Sequence, residues 1–469
     1  MIRTFTAAAL AAAAVASPAM AQSPRPDQLA FRDLYKELIE INTTLSVGSC
    51  TAASEAMAAR LKAAGFADED LRIIVSPDRP KDGNLVATLK GTDAKAKPIL
   101  LLAHIDVVEA NRDDWERDPF KLVEENGFFY ARGAADDKAQ AAVWVDTLAR
   151  YKSEGFKPKR TIRMALTCGE ETPDTFNGVQ YLIKNHRELM GAAFVLNEGA
   201  GGRLDSQGQR VSLGIQAGEK VYQDYTLEVT NPGGHSSAPV RDNAIYHLSQ
   251  GLARLGEYDF PVKLNDAVRG NFIQMAKIEG GPTGEAMAAV AKDPSNAAAV
   301  AAVARDPGRN SMMRTTCVAT MVNAGHAPNA LPQRARANVN CRILPGEGVE
   351  ATREALVKVL ADPSIKVTTV GEPSPVTPPP QLTKQIMGPV ETVAAKLWPG
   401  VPIVPVMATG ATDGRFLNAV GVPTYGLTGM FSEPTGNGAH GLNEKMRVRS
   451  LYEGRDFLYE VVKLYANQK

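Results

Sequence analysis

LLAHIDVV, residues 101–108, reads as one apolar run interrupted by His104 and Asp106. Short continuous apolar runs suit strands buried on both faces, as in parallel sheets. Histidine and aspartate are poorly suited to the middle of such a strand, so they mark its end. Two readings are open here. The polar pair caps a strand that stops at Ala103, or His104 binds a metal and Asp106 orients its imidazole.

Working outward, residues 84–90, 98–103, 160–167 and 192–197 read as buried strands, with helical stretches at 137–154 and 176–188 between them. A single helical region is expected over 28–66, ending near Gly65. Strands alternating with helices predict an α/β fold, a mainly parallel sheet covered on both faces. The pattern changes after residue 215. In VYQDYTLEVT (221–230), Val221, Tyr225, Leu227 and Val229 share one face, so the other face is solvated. A helix near 241–257, strands near 314–323 and 334–344, a helix at 348–361 and a strand at 364–371 complete an α+β unit. EPSPVTPPP (372–380) is a Pro-rich linker. A helix at 383–397, a strand at 401–407 and a helix at 413–420 return to the first style. The expected organisation is a discontinuous α/β domain, 22–215 and 373–469, with a smaller unit inserted at 216–372.

The 469 residues suit two or three domains, and the 44% hydrophobic and 22% charged fractions are ordinary for a globular chain. Lys+Arg balances Asp+Glu at 52 each, so there is no basic footprint for nucleic acid. MIRTFTAAALAAAAVASPAMAQ joins Arg3, an Ala-rich apolar stretch and Ala19-Met20-Ala21. It reads as a signal peptide, residues 1–21, cleaved after Ala21. Export to the periplasm or beyond the cell follows, with no membrane anchor left after cleavage. Four cysteines in an oxidising compartment allow three pairings, and Cys317 with Cys341 is the first candidate.

Polar residues of one chemical kind gather where strands end. His104-Ile105-Asp106 follows one strand, and Cys168-Gly169-Glu170-Glu171 another. Glu198 follows a third, and Asp136-Asp137 opens a helix. GNGAHGLNE near the C-terminus adds His440 and Glu444. Taken singly, the aspartates are as readily a helix cap, the glutamates a solvated turn and His440 a surface residue. Together they make a nitrogen and oxygen donor set suited to zinc, or to manganese or cobalt. Strand C-termini are also where open α/β sheets bind ligands. Two-metal hydrolysis needs a bridging carboxylate, terminal ligands and an adjacent base, and neighbouring glutamates serve the last two needs.

The order His-x-Asp, Gly-x-x-Asp-Asp-Lys, Gly-Glu-Glu, Glu, His resembles the co-catalytic zinc hydrolases that include glutamate carboxypeptidase, aminoacylase, carnosinase and succinyl-diaminopimelate desuccinylase. The resemblance covers essentially the whole mature chain. It implies a ferredoxin-like inserted lid that also forms a homodimer interface. It implies two zinc ions per subunit, with Asp136 bridging them and a cis peptide to Asp137. His104 and Glu198 would complete one metal site, Glu171 and His440 the other. Glu170 would be the general base, and Asp106 would fix the His104 imidazole. His235, in NPGGHSSAP (231–239), would reach the partner's site and stabilise an oxyanion. Asn329 and Arg342, in GHAPNALPQRARANVNCRILPG (325–346), and Gly410, Thr412 and Asp413, in TGATDGRF (409–416), would bind substrate. His186, His247 and His326 match no catalytic position. Ala139 departs from the glycine common after Asp-Asp-Lys, and Glu198 leans away from the aminopeptidase branch.

The function implied is hydrolysis of an amide beside a free carboxylate, by a metallocarboxypeptidase or dipeptidase. The substrate is then a small peptide, or an N-acyl amino acid if the chain is a deacylase. A periplasmic solute-binding protein would also have a leader and two α/β lobes, but it needs no Glu170-Glu171 pair.

Overall fold

The computed structural model describes residues 24–172 and 175–468. The expected signal peptide lies outside them. A ten-stranded sheet organises the larger part of the molecule. At its centre Ile162–Thr167, Ile99–His104 and Phe194–Asn197 run parallel, and Thr424–Gly426 continues parallel to the last. Arg79–Leu89 and Leu71–Ser76 extend one edge antiparallel. Towards the other edge, Arg210–Glu219 takes Ile403–Ala408 in parallel and Gly202–Leu204 antiparallel. The α/β fold with a mainly parallel centre is therefore the one expected from the sequence.

The strand containing LLAH shows why its sequence is apolar on both faces. Ile99, Leu101 and Ala103 join one core with Trp144, Tyr151 and Phe457, whereas Leu100 and Leu102 join another with Val179 and Leu182. Alternate side chains thus meet helices on opposite faces. On one face lies the helix Lys138–Ser153, whose Trp144 indole donates to the Leu102 carbonyl at 3.0 Å. Gly178–Asn185 covers the other face.

The helix expected over 28–66 is two helices, Pro26–Glu40 and Cys50–Ala63. Short polar side chains break it by offering the backbone competing bonds. The Asn42 carbonyl oxygen Oδ1 accepts from the Thr44 N–H at 2.9 Å, and the Thr43 hydroxyl donates to the Ile105 carbonyl at 2.6 Å. Ser49 then caps the second helix by accepting from the Ala52 N–H.

At Lys220 the chain leaves the large sheet and enters a second one. Its order is Thr316–Ala324, Arg334–Ile343, Val221–Thr230, Lys366–Thr369, all antiparallel. Helices Ala244–Gly256 and Val349–Leu360 pack on it through Leu248 and Leu356, against Tyr225, Leu227 and Val229. The β-α-β-β-α-β order is ferredoxin-like. Between its first helix and second strand run Asp266–Glu279, Gly281–Lys292, Ala297–Val303 and Pro307–Met313. Their Val268, Phe272, Met287 and Val303 share the core of the large sheet instead. The Asn271 amide also donates to the Pro405 carbonyl there, at 2.8 Å.

All four cysteines pair. Cys317 and Cys341 face each other across neighbouring strands and are bonded. Cys50 and Cys168 form a second disulfide, which the sequence reading did not single out. No described helix is long and apolar enough to cross a membrane.

Candidate active site

Three parallel strands end side by side. His104 is the last residue of its strand and pairs in register with Thr167, so Cys168–Glu171 leaves the sheet beside it. Glu198 follows Asn197, the last residue of the neighbouring strand. The loop before Lys138 brings Asp136, and the 436–444 loop brings His440 from far along the chain.

These side chains converge. Asp136 lies between the two histidines: Oδ1 is 3.2 Å from His104 Nε2, and Oδ2 is 3.3 Å from His440 Nε2. His104 Nε2 also lies 3.8 Å from Glu198, and His440 Nε2 lies 2.9 Å from Glu171. Potential ligand atoms of His104, Asp136 and Glu171 fall within 4.8 Å of one another, as do those of His104, Glu170 and Glu198. His104 is buried and His440 exposed, so the cluster runs from the sheet edge to solvent. The Asp136–Asp137 peptide is cis, as the resemblance implies.

Electrostatics show how strongly these side chains act on one another. Burial, then the charge of Glu198, pushes the Glu170 carboxyl well above the ordinary carboxylate range. Burial does the same to Glu198 and pushes Glu171 up to about 7. For Asp136 burial acts upward too, but hydrogen bonds from His104 and His440 outweigh it and hold the carboxyl below its ordinary value. So many carboxylates crowded away from water call for cations to stay ionised. Imidazole and carboxylate donors set on both sides of one carboxylate fit a two-metal centre.

Asp106 meets the His104 ring through two groups: its main-chain carbonyl lies 3.0 Å and its carboxylate Oδ1 3.7 Å from Nδ1. The carboxylate accepts the Glu170 and Glu171 N–H groups at 3.3 and 3.0 Å. It therefore fixes the paired glutamates as well as the imidazole.

The expected substrate residues fall into two groups. Thr412 and Asp413 join the large-sheet side. The Thr412 N–H donates to Glu219 at 2.8 Å, its hydroxyl accepts from the Asn197 amide at 3.1 Å, and Asp413 accepts from the Asn177 amide at 2.5 Å. Gly410 precedes them in the same loop, after the Ile403–Ala408 strand. His235 and Asn329 meet on the small-sheet side, where Gly234–His235 pairs with Ala330–Leu331 and the Ser236 N–H donates to the Asn329 carbonyl at 3.1 Å. His235 Nδ1 accepts from the Ser237 N–H at 3.1 Å. Arg342 stacks over the Tyr222 ring at 4.6 Å, also on the small sheet. Among the described residues, no hydrogen bond or ion pair joins His235, Asn329 or Arg342 to the histidine–carboxylate cluster.

Sequence reasoning gave Glu444 no role. Its fully buried carboxylate accepts from four donors: the Ala135, Asp136 and Gly133 N–H groups at 2.7, 3.0 and 3.0 Å, and Arg132 at 2.9 Å. It ties the loop carrying Asp136 to the loop carrying His440. Its place four residues after His440 was the available signal. Glu219 and Asn177 gave no signal, since each acts across a long stretch of chain.

The model of peptidase family M20/M25/M40 matches residues 100–464. This chain belongs to that family. The family-M20 chain is 28% identical over 395 residues to the N-fatty-acyl-amino acid synthase/hydrolase PM20D1 of Mus musculus, covering 80% of this chain and 75% of that one. It is equally 28% identical over 392 residues to the probable carboxypeptidase S-like 2 of Dictyostelium discoideum, covering 81% and 74%. Among solved structures, the M20 metallo-carboxypeptidase Sso-CP2 from Sulfolobus solfataricus superposes with a TM-score of 0.69 at 20% identity, over 94% of this chain and 100% of that one. Human carnosine dipeptidase 1 superposes with a TM-score of 0.60 at 15% identity, over 94% and 97%. Family membership makes this family-M20 chain a hydrolytic enzyme acting on amides.

Proposed function

We propose that the protein is an exported zinc-dependent carboxypeptidase or dipeptidase, cleaving the amide next to a free C-terminal carboxylate. One observation carries this reading: the two oxygens of Asp136 face two different histidines, each with its own glutamate. His104 and Glu198 would hold one zinc, Glu171 and His440 the other, with Asp136 placed between the two histidines to serve both. When bound, the ions polarise the scissile carbonyl and acidify a water. Glu170 takes the proton from that water and passes it to the leaving amine. Asp106 holds Glu170 in place through the backbone.

Arg342, Asn329 and the Gly410–Asp413 loop receive the substrate carboxylate. A guanidinium fork and backbone N–H groups are suited to such a group. On this reading Arg342 and Asn329 belong to the inserted unit, 216–372, and Gly410–Asp413 to the catalytic unit, 22–215 with 373–469. The inserted unit pairs two chains into a homodimer and carries His235 to the partner's site, where it stabilises the oxyanion. Two disulfides support an oxidising, extracytoplasmic location.

An N-acyl-amino-acid deacylase is the second reading, favoured by the likeness to PM20D1 over 80% of the chain. Mass-spectrometric screening of zinc-loaded wild type and Glu170→Ala against dipeptides and N-acyl amino acids separates them. Dipeptide cleavage by wild type alone supports the peptidase. Cleavage of acyl amino acids alone replaces it with the deacylase. A Glu170→Ala variant as fast as wild type removes Glu170 as the base.

A further inference from the structure

A cavity of about 210 Å³ opens beside the cluster, bounded by Asp136 and Glu198. Two of its lining side chains are nearly inaccessible yet carry polar atoms with no hydrogen-bond partner among the described residues. Gln140 is 1% exposed, and neither its Oε1 nor its Nε2 has a hydrogen-bond partner. Asp137 is 2% exposed, and its Oδ2 is likewise without one. Buried polar atoms are nearly always hydrogen-bonded, so a polar occupant is called for. Thr428, Ser432 and Asn437 add further polar groups to the wall.

The cavity's place decides which part of a substrate reaches it. Neither Arg342, Asn329 nor any residue of Gly410–Asp413 lines it. On the proposed reading, those residues hold the C-terminal carboxylate and Asp136 lies under the scissile amide. The acyl side of the substrate then extends the other way, into this cavity. Its volume is below the ~300–1,000 Å³ of pockets that enclose whole drug-sized ligands. It suits one side chain better than a long alkyl chain.

We propose that this cavity is the acyl-side subsite and that Gln140 selects an uncharged polar side chain, an amide or a hydroxyl. A primary amide offers both a donor and an acceptor, so it can satisfy both atoms of the Gln140 amide at once. An apolar side chain leaves them unpaired, and sites built to hydrogen-bond reject such analogues strongly. The inference rests on the amide-hydrolase reading and adds the identity of the acyl-side residue.

The test compares kcat/KM for Gln-Ala, Ser-Ala and norleucine-Ala dipeptides and for N-palmitoyl-alanine. Wild type and Gln140→Leu are used, both zinc-loaded. Wild type is expected to favour Gln-Ala over norleucine-Ala by about 100-fold or more, and Gln140→Leu to erase or reverse that ratio. An equal ratio in the two proteins overturns the inference. So does a wild type that prefers norleucine-Ala, or one that cleaves only N-palmitoyl-alanine. These wild-type outcomes decide the matter even where Gln140→Leu does not fold. Hydrolysis of no amide in the panel overturns the proposed peptidase and deacylase readings, and the inference with them.

Discussion

Glu444 shows how one side chain can govern a centre it does not touch. Its two oxygens collect four donors from the Asp136 loop and Arg132. Glu444→Gln keeps the shape but turns an N–H₂ towards N–H groups. Residues supporting metal ligands typically carry 10- to 100-fold in metal affinity. Co²⁺ titration of the metal-free protein, followed by its d–d absorption, is therefore expected to show an affinity loss of about 10- to 100-fold. Unchanged affinity and spectrum in a folded variant would remove Glu444 from the support of the site. The candidate ligands were legible in the sequence because histidines and carboxylates at strand ends are chemically conspicuous. Glu444 was visible but mute. Its meaning lies in backbone donors 308 to 311 residues away, which no local pattern records.

Lys220 provides a different residue-scale test, where the chain passes between the two sheets. Its ammonium donates to Thr316 at 3.1 Å and Ser311 at 3.3 Å. Burial, then the charge of Arg342, pushes its pKa from 10.5 down to about 7. The unfolded chain keeps the higher value, so between pH 7 and pH 10 it binds the extra proton. Stability attributable to this residue therefore rises with pH across that window. Denaturant unfolding at pH 7, 8.5 and 10 is expected to show wild type gaining on Lys220→Met. A difference independent of pH would contradict the assignment.

At the scale of elements, the disulfide Cys50–Cys168 joins the start of one helix to the residue leaving a central strand. Cys168 lies two residues before Glu170, and its N–H donates to the buried Asn84 at 3.1 Å. The bridge closes a sequence separation of 118 residues. Loop-closure entropy for so long a loop gives a stabilisation of about 3–5 kcal/mol. Replacing both cysteines by serine should lower the unfolding free energy by about that amount in guanidinium titration. A loss near zero would mean that the helix and strand hold together without it. Central strands were readable because burial on both faces leaves an unbroken apolar run. The break between Pro26–Glu40 and Cys50–Ala63 was not, because Thr43 is drawn out of the helix by the distant carbonyl of Ile105. Likewise, the helices within 266–313 carried apolar faces, but nothing local showed which sheet they would cover.

For the whole molecule, the small sheet presents an edge strand, Thr316–Ala324, with Val318, Met321 and Val322 60%, 72% and 67% exposed. An exposed apolar edge of this kind favours pairing with another chain. In the proposed dimer, His235 of each subunit serves its partner. Mixing unfolded and refolded His235→Ala and Glu170→Gln chains, each inactive alone, should restore roughly a quarter of wild-type activity through heterodimers with one intact site. No recovery from a mixture that forms dimers would place His235 outside the partner's chemistry. The second, antiparallel sheet was legible from the change in strand pattern after residue 215.

The most direct test of the central claim is the metal content of Asp136→Asn beside wild type, measured by mass spectrometry after zinc loading and gel filtration. The expected result is two zinc ions per wild-type chain and clearly fewer in the folded variant, because on the proposed reading one carboxylate would serve both ions. A wild type without bound zinc, or an Asp136→Asn variant that keeps both ions as tightly, would contradict it.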